Sequence, residues 1–80
     1  MFSVEWLKDG EVVRDQPMIG VDMEDIVVAA AKLSPEVVEQ LGERPDEVRI
    51  TDHLRGAGLI FTLDKLLEHS AGIRGSTEVN

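Results

Sequence analysis

The fold of this chain is decided by residues 22–42, which read DMEDIVVAAAKLSPEVVEQLG. Apolar residues recur there every three or four positions, the spacing that draws one stripe along an α-helix. The stripe consists of Met23, Ile26, Val27, Ala30, Leu33, Val37 and Leu41. Asp22 suits the N-cap, and Gly42 suits the left-handed position after the last turn. The pattern predicts a central helix that covers one face of a sheet.

Ser34 and Pro35 interrupt this helical pattern. A proline inside a helix removes one backbone hydrogen bond and clashes with the carbonyl group four residues earlier. The sequence Ser-Pro-Glu is instead typical of the start of a helix, with serine as the N-cap. We therefore expect a helix that is kinked at Ser34 or divided there into two.

Further apolar residues lie outside the stripe. Val28, Ala29 and Ala31 make the first half of the helix apolar almost all round, and Met18 and Ile19 precede it without a periodic partner. One interpretation is a core helix that is buried on more than one side. The other is a self-association surface formed by these five residues, which a twofold dimer would bury.

The charge of the chain limits its partners. Its 80 residues include 16 acidic and 8 basic ones, a net charge of −8. Residues 1–47 contain 12 acidic and 4 basic residues, whereas residues 48–80 contain 4 of each. Because an acidic surface repels phosphate groups, we expect neither nucleic-acid nor membrane binding.

Cysteine is absent, so disulfides and thiolate metal sites are excluded. No apolar run approaches the roughly 18 residues that a membrane span requires, and the N-terminus does not resemble a secretion signal. We expect a cytoplasmic protein.

The first 14 residues predict a β-hairpin. Phe2, Val4 and Trp6 alternate with polar residues, as in a half-buried strand, and we expect Trp6 to lie under the helix. Asp9-Gly10 is typical of a type I′ turn. Pro17 has no N–H group, so any strand that contains it should lie at a sheet edge. The predicted cross-strand pairs are Lys8 with Glu11, Leu7 with Val12, Trp6 with Val13, and Glu5 with Arg14.

A second hairpin follows the helix. Residues 47–54 alternate with Val48 and Ile50 inward, residues 55–58 form the turn, and residues 59–63 form the fourth strand. The predicted fold is α+β with the order ββαββ, two antiparallel hairpins in one small sheet and the helix on one face. Residues 62–70 predict a short final helix capped by Thr62. The predicted domain covers residues 1–70, and residues 71–80 form a disordered tail.

Motifs for catalysis are absent. His53 stands beside Asp52 and His69 beside Glu68, but neighbouring residues of a strand point to opposite faces, and the two histidines lie on different elements. The glycines of residues 56–58 lack the spacing and the lysine of a phosphate-binding loop. We expect no catalytic, metal or cofactor site. The alternative is a ligand-binding protein or enzyme with a site near His53, Arg55 and His69.

Several segments together resemble a known family. They are the opening strand with Asp9-Gly10, the Arg14-Asp15 segment, the alanine-rich helix, residues 48–52 (VRITD), and residues 59–62 (LIFT) before a short helix. They are similar to a family of short, uncharacterised bacterial proteins classed as a domain of unknown function, over residues 2–68; the Ser34-Pro35 break departs from its pattern. The resemblance implies a compact α+β module without known catalytic residues. We expect a non-catalytic protein-interaction module, either a homodimer or a partner-binding protein.

Overall fold

The computed structural model describes the backbone of residues 1–78 and the side chains of residues 1–73. The elements in order are β1 (Phe2–Lys8), β2 (Glu11–Met18), α1 (Met23–Leu41), β3 (Glu47–Asp52), β4 (Ala57–Thr62) and α2 (Leu63–Glu78). The strands form one antiparallel sheet in the order β2-β1-β3-β4. The predicted α+β fold with two antiparallel hairpins is confirmed.

The two helices pack on one face of this sheet. α1 contacts β2 and β3, and α2 contacts β3 and β4 while packing along α1. Strand and helix side chains there form one apolar core, and Trp6 lies fully buried in it, as predicted. The core consists of Phe2, Val4, Trp6, Ile26, Val27, Ala30, Ala31, Val37, Val48, Ile50, Leu63 and Leu66.

The first hairpin has the predicted turn but not the full predicted register. Asp9 and Gly10 have φ angles of 52° and 81°, as a type I′ turn requires. Next to the turn the two predicted pairs, Lys8 with Glu11 and Leu7 with Val12, are present.

Beyond them the register shifts by one residue. Trp6 pairs with Arg14 rather than with Val13, and Glu5 pairs with Asp15, so the last two predicted pairs are wrong. An extra residue on β2 is the mark of a β-bulge. The bulge places Arg14 on the helix-covered face, where its guanidinium donates a hydrogen bond to the side chain of Gln40 in α1.

α1 is one continuous helix, so the prediction of a kinked or divided helix is wrong. Its ends are as predicted. The carboxylate of Asp22 accepts a hydrogen bond from the N–H of Asp25 at 3.0 Å, and Gly42, with φ of 72°, donates its N–H to the carbonyl of Val38 at 3.0 Å.

Ser34 explains why the helix continues through Pro35. Its buried hydroxyl accepts a hydrogen bond from the indole N–H of Trp6 at 3.1 Å and donates one to the carbonyl of Ala30 at 2.7 Å. Serine therefore acts here as a link between helix and sheet and not as an N-cap. Core residues on both sides of the proline, Ala31 and Val37, hold the helix on the sheet and offset the cost of about 3 kcal/mol that proline adds.

The second hairpin and α2 also differ slightly from expectation. Asp52 stabilises the turn at residues 53–56, since its carboxylate accepts hydrogen bonds from the N–H groups of Leu54 and Arg55 at 3.0 and 3.2 Å.

Thr62 caps α2 as predicted, its hydroxyl oxygen accepting from the N–H of Lys65 at 3.2 Å. α2 continues to Glu78, past the expected end at residue 70. The division into a domain and a tail stays a prediction, and residues 79–80 lie outside the described residues.

Candidate interaction surface

The strand order leaves β2 and β4 at the two edges of the sheet, and these edges differ in composition. β2 carries three charged residues, a bulge and Pro17, all of which hinder pairing with another chain. The expectation that Pro17 lies at an edge is confirmed. β4 reads AGLIFT and has neither a charged residue nor a proline. Only β4 lacks the usual protection of an exposed edge.

The hydrogen-bond pattern identifies the backbone groups at the free edge of β4. The N–H of Leu63 donates to the carbonyl of Asp46 at 3.1 Å, one pair beyond the last pair of the β3–β4 ladder. Residues of an antiparallel strand alternate between bonding to one neighbour and facing the other side. The odd-numbered residues of β4 therefore bond to β3, and Gly58 and Ile60 direct their N–H and C=O groups away from the sheet. Thr62 directs only its N–H there, because its C=O, as that of the N-cap of α2, accepts the first hydrogen bond of the helix.

The same argument shows how β2 is closed to pairing. The N–H of His53 donates to the carbonyl of Met1 at 3.1 Å, so the odd-numbered residues of β1 bond to β3 and the even-numbered ones to β2. Pro17 lies opposite Ser3 and thus faces the free edge, where it presents no donor.

Apolar side chains flank β4 on both faces of the sheet. Leu59 pairs with the core residue Ile50 and so lies on the helix-covered face, 44% exposed. Ile60 pairs with Arg49 and lies on the open face, 61% exposed. We call β4, with these two exposed side chains, the β4 edge.

Most side chains on the open face of the sheet are polar. The guanidinium of Arg49 bonds to the carboxylate of Glu5 at 2.8 Å across β1 and β3, and this hydrogen bond together with the negative charge of Glu5 raises the pKa of Arg49. Beside the pair lies a shallow concavity of about 320 Å³, which includes Ser3 and His53.

Ser3 and His53 are hydrogen-bonded to each other, the contact that a nucleophile and its base would make. Within residues 1–73 no carboxylate bonds to the histidine to orient it, and no group of three or more metal-binding side chains is present. The described residues therefore do not assemble a catalytic triad or a metal centre.

The residues of the alternative site are not brought together. His53 lies on the open face, whereas the ring of His69 packs at 5.6 Å from that of Phe61, a residue packed against the core on the opposite face. Arg55 lies in the hairpin turn, 3.9 Å from the carboxylate of Asp52. The structure separates the two histidines by the thickness of the sheet.

The five predicted interaction residues differ in exposure. Ala31 is in the core and Met18 packs against it, while Val28 and Ala29 are half-buried. Ile19 is strongly exposed, at 90%. The self-association surface stays a prediction.

The β4 edge could not be predicted from the sequence, because the sequence does not reveal the order of the strands. The uncharged sequence of residues 57–62 was visible, but it becomes informative only when β4 is known to be an edge strand.

Comparisons of this chain with protein-family models, curated proteins and solved structures find no match. The ββαββ order expected from the resemblance is visible, extended by α2, but no family is identified. Among the described helices, neither is long and apolar enough to cross a membrane.

Proposed function

We propose that this chain is a non-catalytic protein-interaction module that binds an extended strand of its partner along the β4 edge. The observation that carries the proposal is the contrast between the two sheet edges. β4 presents free backbone groups between apolar side chains, whereas β2 is blocked by charges, a bulge and Pro17.

Strand addition uses these features directly. Backbone hydrogen bonds to an edge strand supply affinity, and side chains on alternating faces supply specificity. Gly58, Ile60 and Thr62 offer the hydrogen bonds, and Leu59 and Ile60 offer apolar contacts on the two faces. The partner strand should therefore be apolar and largely uncharged.

A cytoplasmic location and membership of the bacterial family that the sequence resembles are parts of the same proposal. The order of the elements supports the second, and the acidic composition, which favours solubility, agrees with the first.

Photo-crosslinking at matched positions tests this function. Leu59 on β4 and Val12 on β2 are both 44% exposed and both lie on edge strands. A photoreactive phenylalanine derivative replaces one or the other in cells that produce the protein. We expect crosslinked products from position 59 and few from position 12. Equal yields from the two edges in correctly folded protein would contradict the proposal.

A further inference from the structure

We infer that the occupant of the β4 edge is a second copy of this chain, paired antiparallel about Ile60 so that two sheets become one. This inference rests on the proposed function and adds the identity of the partner strand and its register. It follows from the backbone pattern, the side chains and the distribution of charge.

The twofold symmetry limits the register. A twofold axis perpendicular to the sheet keeps both helix layers on the same side, so residues opposite each other must point to the same face. If the axis passes through Ile60, this residue faces the partner's Ile60, and Gly58 faces the partner's Thr62. Both backbone groups of Ile60 then bond to the partner's Ile60, and the N–H of Thr62 donates to the carbonyl of the partner's Gly58.

The competing register is centred on Leu59 and places Ile60 opposite the partner's Gly58, which has no side chain. Thr62 would then face the partner's Gly56, which lies in the turn before β4 and has a φ of 69°. The pairing about Ile60 keeps Thr62 opposite a strand residue and brings the larger apolar side chains together.

The side chains agree with this register on both faces. On the open face the two copies of Ile60 lie directly opposite each other at the axis. On the helix-covered face Leu59 lies opposite the partner's Phe61, a half-buried aromatic ring. Apolar side chains in opposite positions pack against each other and stabilise an antiparallel pair. Each copy thus covers the exposed apolar side chains of the other.

The charge distribution favours a second copy over a basic partner. A basic protein would be attracted to residues 1–47, which carry the net charge of −8, and not to the uncharged β4. Pairing through β4 leaves β1 five strand spacings, about 24 Å, from the partner's β1, and β2 farther still from the partner's β2. That distance exceeds the screening length of about 8 Å at physiological salt, so repulsion between the acidic halves is weak.

Charge-reversal variants at the axis test the inference by sedimentation equilibrium. Wild type should dimerise, and Ile60→Lys or Ile60→Glu alone should raise the dimer dissociation constant about tenfold or more, because like charges then face each other. An equimolar mixture of the two variants should form a heterodimer. The matched pair Val12→Lys and Val12→Glu should leave dimerisation unchanged.

Two outcomes would overturn the inference. If the wild-type protein stays monomeric up to hundreds of micromolar, self-pairing is ruled out. Crosslinks from position 59 to another protein would still support the proposed function in that case. If Ile60→Lys does not weaken the dimer, another surface holds the two copies together. That result would also count against the β4 edge as the interaction surface.

The register has its own test, because the chain contains no cysteine. In a hydrogen-bonded antiparallel pair the Cα atoms lie about 5.5 Å apart, within the range for a disulfide. Ile60→Cys should therefore form crosslinked dimers faster than Leu59→Cys under oxidising conditions. The reverse order of rates would place the axis at Leu59 and contradict the register.

Discussion

Replacing Ser34 by alanine should destabilise the fold, because the indole N–H of Trp6 in β1 then loses its hydrogen-bond acceptor. In the wild type this N–H donates to the Ser34 hydroxyl at 3.1 Å, and both residues are buried. Ser34→Ala leaves the donor buried without a partner, which costs about 1–3 kcal/mol. Alanine has the better helix propensity by roughly 0.5 kcal/mol, so the free energy of unfolding should fall by about 1–2 kcal/mol.

A double-mutant cycle isolates this hydrogen bond. Trp6→Phe removes the indole N–H, so the further change Ser34→Ala should then cost little. Urea denaturation followed by circular dichroism measures all four proteins without relying on tryptophan fluorescence. For a domain of this size the expected loss corresponds to about 5–15 °C in Tm. An equal cost of Ser34→Ala in both backgrounds would refute the role of the hydrogen bond.

Three further changes test other parts of the fold. Pro35→Ala should stabilise the protein by about 1–3 kcal/mol in thermal denaturation, because it restores a hydrogen bond inside a continuous helix. The neighbouring change Glu36→Ala should be near neutral. A loss of stability on replacing the proline would favour a divided helix. Asp52→Ala should cost about 1–2 kcal/mol and speed amide exchange in the turn of the second hairpin, because two N–H groups lose their acceptor; unchanged exchange would contradict this. The hydrogen bond from the N–H of Asp9, at 2.9 Å, lowers the pKa of the Asp46 carboxyl group below 3.8. The stabilisation of the fold by this hydrogen bond should therefore be full above that pH and be lost as the pH falls through the lower, folded-state pKa. An NMR titration of the carboxyl carbon that gives a pKa of 3.8 or higher would contradict the assignment.

Local sequence patterns were sufficient to predict the elements and their pairing into hairpins. Alternation around Trp6, the Asp9-Gly10 turn and the caps of α1 are each determined by residues close together in the chain. Such features depend on backbone geometry and periodicity, which a single sequence displays directly.

The errors arose where distant residues decide the structure. The bulge in β2 places Arg14 where it bonds to Gln40 of α1. The helix continues through Pro35, next to Ser34, which bonds to Trp6 of β1. Local patterns around Arg14 and Ser34 do not reveal that Gln40 and Trp6 are their partners. In the same way, the β4 edge became visible only with the strand order.

Amide hydrogen exchange at the two sheet edges, measured over a range of protein concentrations, tests the role of β4 most directly. The outward-facing amides of Ile60 and Thr62 should become protected as the concentration rises and the second copy binds. The outward-facing amide of Asp15 on β2 should exchange at a rate independent of concentration. Exchange at the two β4 amides that stays as fast as at Asp15 at every concentration would contradict self-pairing along this strand.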